Sequence, residues 1–352
     1  MQNKFKGLLN EKTAIIITSS ENRRYLTSFN SSDGFLVITN DEAVFFTDSR
    51  YVEAATKQIT VCRTELLKRV SETIAPYLKE KNIENVILET EKLTVAEFNN
   101  LKKVFGFCNV EAKSELDSLI NNLRSVKNEK EVECIKKAQK IAEDAFSHIL
   151  KFIKVGVTEK QIALELDFYM LSHGAEAISF ETIAVSGKNT SMPHGVPGDK
   201  RIENGDFVTM DFGAVYNGYH SDMTRTVAVG APSEKQKEVY NVVLKAQKEA
   251  LSVLKSGLSG FDADKAARDV IENAGYKEFF GHGTGHGVGV EIHEAPNLSP
   301  YSEAMLCEGN VVTVEPGIYV PGEFGVRIED MALITKDGFI NLTNCEKELI
   351  IL

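Results

Sequence analysis

The dipeptide Asn217-Gly218, inside MDFGAVYNGYHSDMTRT, constrains the fold of this chain more than any other short segment. Asn-Gly is the strongest short-range signal for a two-residue type I′ hairpin turn. Pairing outward from that turn makes Asp211 and Asp222 diagonal neighbours on one face of two strands. Two carboxylates held so close on a half-buried sheet are costly unless a cation lies between them. The segment therefore predicts a shared cation site, with two solvated surface acids as the alternative.

The length and composition narrow the class of protein. A chain of 352 residues suits two domains, and 43% hydrophobic with 26% charged residues is typical of a globular protein. The net charge of −11 argues against nucleic acid as a partner. The apolar run near the N-terminus, residues 14–18, is too short for a signal peptide or a membrane span. We therefore expect a cytoplasmic protein without membrane association. The five cysteines are scattered along the sequence, which indicates reduced, structural thiols rather than disulfides.

Strand-like and helix-like segments alternate over residues 1–123, which predicts a layered α/β N-terminal domain. The expected strands are TAIIITS, GFLVIT, AVFFTD, ITVCRT and NVILE, and the expected helices are SRYVEAATKQ, ELLKRVSETIAPYLKEK and TVAEFNNLKKVF. The charge-dense stretch LRSVKNEKEVE, residues 123–133, opens a long helical pattern and marks the junction between the domains.

Residues 124–352 predict an α+β domain. The sequences TEKQ (158–161) and SEKQ (233–236) are capping boxes that open amphipathic helices. A third helix is expected from Asp262 to Asn273, before Gly275. Four strand-like runs lie between and after these helices, namely DFVTMDFG, SDMTRTVAVG, NVVTVEPGIYV and GVRIEDMALIT.

Five of the seven histidines occur in three short segments, SMPHGV, NGYHSD and FGHGTGHGVGVEIHEAP. A lone histidine is usually structural, but His282, His286 and His293 fall within twelve residues. The glycines between them alternate without forming a G-x-G-x-x-G or Walker pattern, so a phosphate cradle is not indicated. Close backbone packing that brings imidazoles to a metal or a substrate fits the pattern better.

Two glutamates, Glu315 and Glu329, lie in otherwise apolar strand-like runs, where an unpaired carboxylate is expensive. A salt bridge with Arg327 would explain one of them but not both. The candidate ligands are thus two Asp, two Glu and at least one His. Such a set of donors is suitable for divalent ions; Mn²⁺ is the first candidate, and Co²⁺ or Zn²⁺ would also be accepted. Bridging carboxylates would hold two ions about 3.5–4 Å apart and activate a shared water for hydrolysis.

Four segments resemble, in the same order, the motifs of the pita-bread metallopeptidases. This creatinase/aminopeptidase-like group includes aminopeptidase P, prolidase and methionine aminopeptidase. The segments are MDFGAVYNGYHSDMTRT, GHGTGHGVGVEIHE, TVEPGIY and GVRIED. The resemblance covers residues 125–352. It implies a pita-bread catalytic domain preceded by a creatinase/prolidase-like N-terminal domain. It also implies a homodimer, because the relatives are commonly homodimers.

The resemblance also implies the site residues. Two metal ions would be bound by five ligands, with Asp222 and Glu329 bridging: Asp211, Asp222, His286, Glu315 and Glu329. His194 and His293 would contact the substrate and stabilise the tetrahedral intermediate, and His282 would be a further substrate-pocket residue. Arg327 would act beside Glu329. Glu315 would accept the proton of the nucleophile and return it to the leaving nitrogen.

Two relatives remain as models for the activity, and both cut the bond before proline. YLTSFNSSDGFLVIT and FFTDSRYVEAA resemble aminopeptidase P, although Ser28 stands where that pattern has glycine. We therefore expect an Xaa-Pro aminopeptidase that acts on proline-containing peptides, with a prolidase restricted to Xaa-Pro dipeptides as the alternative. A non-catalytic binding module is the remote alternative, disfavoured because no ligand position is missing.

Overall fold

A computed structural model describes all residues from 1 to 352, and the chain divides into two compact units, Met1–Arg124 and Ser125–Leu352. Each unit has its own buried clusters of apolar side chains. No helix in residues 1–352 combines the length and the apolar composition needed to cross a lipid bilayer.

The first unit is built on one mixed six-stranded sheet with the strand order β4-β3-β2-β1-β5-β6. The strands are β1 Thr13–Ile17, β2 Phe35–Ile38, β3 Ala43–Thr47, β4 Arg63–Leu66, β5 Asn85–Leu88 and β6 Asn109–Ala112. The helices are α1 Ser20–Thr27, α2 Val52–Gln58, α3 Ile74–Glu80, α4 Val95–Val104 and α5 Ser114–Ser125.

The central strand β1 shows why this sheet is layered. Ala14 and Ile16 belong to one apolar cluster, whereas Ile15 and Ile17 belong to another on the opposite face. Successive side chains of a strand point to opposite faces, so a continuous apolar run indicates a sheet that is covered on both sides. The predicted α/β class is confirmed.

Several elements of the first unit differ from the expectation. Helix α3 is shorter than the segment 65–81, because residues 63–66 pair with β3 as the strand β4 and residues 67–73 form a bend and a turn before the helix. The helices α1 and α5 and the strand β6 were not anticipated. Strand β6 has a single buried residue, Val110, so it lacks the apolar run that marks the other strands.

The second unit contains four long helices and thirteen short strands. The helices are α6 Glu129–Ile149, α7 Glu159–Ser172, α8 Glu234–Val253 and α9 Gly260–Asn273. The strands are β7 Ala177–Ile178, β8 Ile183–Ser186, β9 Phe207–Phe212, β10 Ala214–Tyr216, β11 Tyr219–His220, β12 Met223–Ala228, β13 Gly285–Gly287, β14 Glu294–Leu298, β15 Val311–Val314, β16 Gly317–Val320, β17 Phe324–Arg327, β18 Asp330–Ile334 and β19 Phe339–Asn341.

Each pair of helices in this unit packs on its own sheet. Side chains of α6 and α7 share an apolar cluster with the β8, β9 and β12 sheet, while α8 and α9 share one with the β15 and β18 sheet. Both predicted capping boxes form, at Thr158 and Ser233. The helical pattern expected to run on from residue 123 is interrupted, because Asn128 caps a new helix, α6. The predicted α+β character is confirmed.

Candidate active site

The hairpin around Asn217 and Gly218 has the predicted register. Both turn residues have positive φ, 46° and 79°, as a type I′ turn requires. Below the turn, Asp211 on β9 pairs with Thr224 on β12, so Asp222 is its diagonal neighbour. A Cβ on Gly213 would lie 1.9 Å from the Ser221 carbonyl oxygen, so only glycine lets the two chains approach beside Asp222.

The two glutamates lie beside strand ends, as expected for Glu315 at the end of VVTVEP, whereas Glu329 lies in a break between two strands rather than inside a continuous strand-like run. Glu315 follows β15 directly, because Pro316 has no N–H to extend the ladder. Glu329 separates β17 from β18, and its own N–H donates to the Thr224 carbonyl oxygen at 3.1 Å. Both carboxylates therefore project from breaks in the sheet, where the backbone can turn a side chain towards a cavity.

Strand β13 fixes the orientation of His286. A Cβ on Gly285 or Gly287, the neighbours of His286, would lie 2.0 or 2.4 Å from a carbonyl oxygen of an adjacent strand, so this strand is tightly enclosed. The His286 Nδ1–H donates to the Gly287 carbonyl oxygen at 3.0 Å. Its Nε2 is then left as a lone-pair donor, 3.6 Å from Asp222 Oδ2 and 3.4 Å from Glu315 Oε1.

The carboxylates are buried and mutually repulsive. Burial, followed by the charges of Glu329 and Asp211, raises the pKa of Asp222 well above its usual value. Burial, together with neighbouring carboxylates, also raises the pKa of Glu329. The pKa of Glu315 rises to about 7, chiefly through burial and against the charge of Arg327. Such a cluster favours either protons or a cation.

These residues fit a divalent metal. Three buried carboxylate oxygens have no hydrogen-bond donor, one each on Asp211, Asp222 and Glu329. Ligand atoms of Asp222, His286 and Glu329 lie within 4.8 Å of one another. Carboxylate oxygens with one imidazole are suitable ligands for a hard or borderline divalent ion. Asp211 and Glu315 line the same cavity, but they are not among the residues whose ligand atoms meet this distance limit.

Arg327 is buried, and its guanidinium makes four hydrogen bonds to the protein. Its Nη2 donates to Asp211 Oδ2 at 2.6 Å, and its Nε donates to Thr224 Oγ1 at 3.1 Å. Its Nη1 donates to the hydroxyl of Tyr319 at 2.9 Å and to the Pro193 carbonyl oxygen at 3.3 Å. Arg327 is thus placed to hold Asp211 rather than to extend towards a substrate carboxylate.

Three residues of the site are assigned no role from the sequence, although each lies in a motif that carries the family resemblance. Tyr319 links Arg327 to His282, whose Nε2 lies 2.9 Å from its hydroxyl. Thr224 donates to Glu329 Oε2 at 2.7 Å, and Thr313 donates to Glu315 Oε1 at 3.1 Å. Each threonine therefore fixes one carboxylate oxygen of its glutamate, a contact that the order of residues along the chain does not reveal.

The predicted substrate histidines line one cavity of about 570 Å³ with the five metal-ligand candidates. His293 packs edge-on against His286, with ring centroids 4.4 Å apart, and burial lowers its pKa. Burial lowers the pKa of His282 to about 4, so this ring is neutral. His194 is exposed at the cavity. Apolar lining comes from Phe180, Ile183, Val196, Pro197 and Ile292.

Comparison with known proteins agrees with this architecture. The model of metallopeptidase family M24 matches residues 133–336, and that of the creatinase/prolidase N-terminal domain matches residues 4–126. An Xaa-Pro dipeptidase of Pyrococcus horikoshii is 40% identical over 97% of this chain and 95% of its own length.

Solved structures agree as well. The Xaa-Pro dipeptidase from Bacillus anthracis superposes with a TM-score of 0.95 at 43% identity, covering 100% of this chain and 99% of its own. An X-Pro aminopeptidase from Thermotoga maritima gives a TM-score of 0.92 at 35% identity, covering 99% of each chain. The predicted pita-bread relationship is confirmed: the chain belongs to metallopeptidase family M24 and is a metallopeptidase.

Proposed function

We propose that this protein is an Xaa-Pro dipeptidase, a metal-dependent enzyme that cleaves the bond before proline in dipeptides. The buried carboxylate cluster around His286, with its unpaired oxygens facing a cavity, carries the hydrolytic part of the proposal. The sequence favoured an Xaa-Pro aminopeptidase. The assignment as an Xaa-Pro dipeptidase has the stronger support, because the relatives from Pyrococcus horikoshii and Bacillus anthracis have that name and are more similar to this chain than the Thermotoga maritima protein is.

The metal ligands in this proposal are Asp211, Asp222, His286, Glu315 and Glu329, which would hold two divalent ions, with Mn²⁺ as the first candidate. The bound ions would supply an acidified water and would polarise the scissile carbonyl group. The donor set supports a divalent ion without selecting one, since oxygen-rich sites accept Mn²⁺ and also Co²⁺ or Zn²⁺.

The side chains around the ligands have distinct tasks in this proposal. Glu315 accepts a proton from the attacking water and transfers it to the departing proline nitrogen, because its carboxylate lies beside the other ligand candidates in the same cavity. His194 and His293 hydrogen-bond to the carbonyl oxygen as it gains negative charge. Arg327 holds Asp211, and the neutral His282 supports Tyr319 beside it.

We also propose a homodimer and a cytoplasmic location. The resemblance to homodimeric relatives supports the first. The five cysteines, all of them free thiols, support the second, because reduced thiols are typical of the cytoplasm.

The deciding experiment compares an Xaa-Pro dipeptide with the matching Xaa-Pro-Yaa tripeptide, using protein loaded with Mn²⁺. We expect the dipeptide to be cleaved and the tripeptide to be nearly inert. Comparable cleavage of the tripeptide would instead establish an Xaa-Pro aminopeptidase, the second candidate that the Thermotoga relative supports. Absence of cleavage of either peptide, in protein shown by metal analysis to be loaded, would favour the non-catalytic binding module.

A further inference from the structure

Two helices of the second unit begin with almost the same four residues, TEKQ at 158–161 and SEKQ at 233–236. Glu159 and Glu234 therefore occupy the same first helical position behind a capping box. Their surroundings differ sharply. Glu159 is 1% exposed, whereas the side chain of Glu234 is 91% exposed and pairs with Lys237 on its own helix. A buried carboxylate at this position is costly without strong hydrogen bonds.

Glu159 obtains those bonds from the two ends of one segment, residues 186–198, which we name the pocket loop. Its Oε1 accepts from the Ser186 N–H at 2.7 Å, from Ser186 Oγ at 2.9 Å and from Asn189 Nδ2 at 2.9 Å. Its Oε2 accepts from the Gly198 N–H at 3.1 Å. Hydrogen bonds to an ionised acceptor are roughly twice as strong as neutral ones, so one side chain fastens both ends of the loop.

The pocket loop forms one wall of the active-site cavity. Its cavity-lining residues are Pro193, His194, Gly195, Val196 and Pro197. On the inner side, Arg327 donates to the Pro193 carbonyl oxygen and the Gly325 N–H donates to Thr190 Oγ1 at 2.8 Å. His194 lies between these inner contacts and the Gly198 end that Glu159 holds.

We propose that Glu159 is a positioning residue for substrate binding: it fixes the pocket loop and thereby holds His194 against the cavity. A carboxylate is required, because both oxygens must accept. Glutamine at this position keeps one accepting oxygen but turns an amide N–H₂ towards another donor, the N–H of either Ser186 or Gly198. The effect on catalysis rests on the proposed function, whereas the effect on the loop does not.

The test uses the full chain in four forms: wild type, Glu159→Gln, Glu159→Ala and the matched control Glu234→Ala. Hydrogen exchange of the backbone amides in residues 186–198 is measured first, because exchange reports local opening. We expect about tenfold faster exchange in this segment for Glu159→Ala, a smaller increase for Glu159→Gln, and the wild-type rate for Glu234→Ala.

Steady-state kinetics on an Xaa-Pro dipeptide with Mn²⁺ form the second arm. Both Glu159 variants should raise KM by about tenfold with a smaller change in kcat and an unchanged metal content, since a displaced wall weakens substrate placement. Unchanged loop exchange in Glu159→Gln would overturn the proposal. Equal acceleration in β9 and β12 would also overturn it, because that pattern shows general destabilisation. A wild type inactive on every Xaa-Pro peptide refutes the proposed function alone, and the exchange result still decides the role of Glu159.

Discussion

The guanidinium of Arg327 lies 2.6 Å from the carboxylate of Asp211, with side chains only 4% and 14% exposed. Water therefore screens this pair little. The same cavity contains the carboxylates of Asp222, Glu315 and Glu329. One buried cation thus faces four carboxylates, and the remaining negative charge is what a divalent ion can balance.

Replacing Arg327 with methionine should destabilise the metal-free protein. Loss of one partner from a buried pair typically costs about 3–5 kcal/mol, and here the orphaned Asp211 also faces three other carboxylates. Urea unfolding in EDTA measures this loss of unfolding free energy. Added Mn²⁺ should recover part of it, because the ion supplies positive charge.

The control for Arg327 is Lys237→Met, which breaks the exposed pair with Glu234. Exposed pairs contribute about 0–1 kcal/mol, so this variant should unfold almost as the wild type does. An Arg327→Met protein with wild-type stability in EDTA would show that the contact with Asp211 is not the main support of the site.

Replacing Glu315 with glutamine should abolish most of the turnover while the fold is preserved. Glutamine keeps the size of the side chain but cannot take up a proton, and loss of a general base costs about 10²- to 10⁴-fold. Activity on an Xaa-Pro dipeptide, circular dichroism and metal content together measure the effect. The exposed Glu308→Gln serves as the control. Full activity with bound metal would remove Glu315 from its proposed role.

The features that the sequence predicted well depend on neighbouring residues. The Asn217-Gly218 turn sets the register that makes Asp211 and Asp222 diagonal, and the capping boxes set the starts of α7 and α8. In each case the groups that form the turn or the cap lie within a few residues of one another, so the local sequence is enough to predict the structure.

The features that it missed depend on distant contacts. At the break between β17 and β18, the Glu329 N–H bonds to Thr224, 105 residues away, and Tyr319 gains its importance only where Arg327 and His282 contact it. Glu159 and Glu234 make the point most directly, because nearly identical local sequences lead to opposite burial. No local pattern distinguishes them, and the difference arises from the pocket loop.

Replacing Ser28 with glycine should stabilise the first unit. Ser28 caps α1 with φ at 58°, in the left-handed region, where the aminopeptidase P pattern has glycine. A side chain there costs about 1–2 kcal/mol, of which the greater freedom of glycine in the unfolded chain offsets a part. We expect a gain of about 0.5–1 kcal/mol by urea unfolding. Asn82→Gly, at φ 54°, is the matched control and should change little, because asparagine tolerates this conformation.

The metal-free protein should lose stability as the pH rises. The pKa of Glu315 is about 7 in the folded state against an ordinary value of 4.5, and those of Asp222 and Glu329 are also raised. Between those values the folded state retains protons that the unfolded state has released, so the free energy of unfolding falls from about pH 4.5 to about pH 7 and beyond. Thermal unfolding in EDTA at pH 5, 6, 7 and 8 measures this slope.

Metal should reverse that dependence, because Mn²⁺ binds the ionised carboxylates that repel one another without it. The same melts with saturating Mn²⁺ should therefore show the largest stabilisation at pH 8 and the smallest at pH 5. Glu329→Gln removes one of the repelling charges, so it should flatten the slope in EDTA and reduce the gain from Mn²⁺. Stability in EDTA that rises from pH 5 to pH 8 would contradict the charge balance inferred for this cavity.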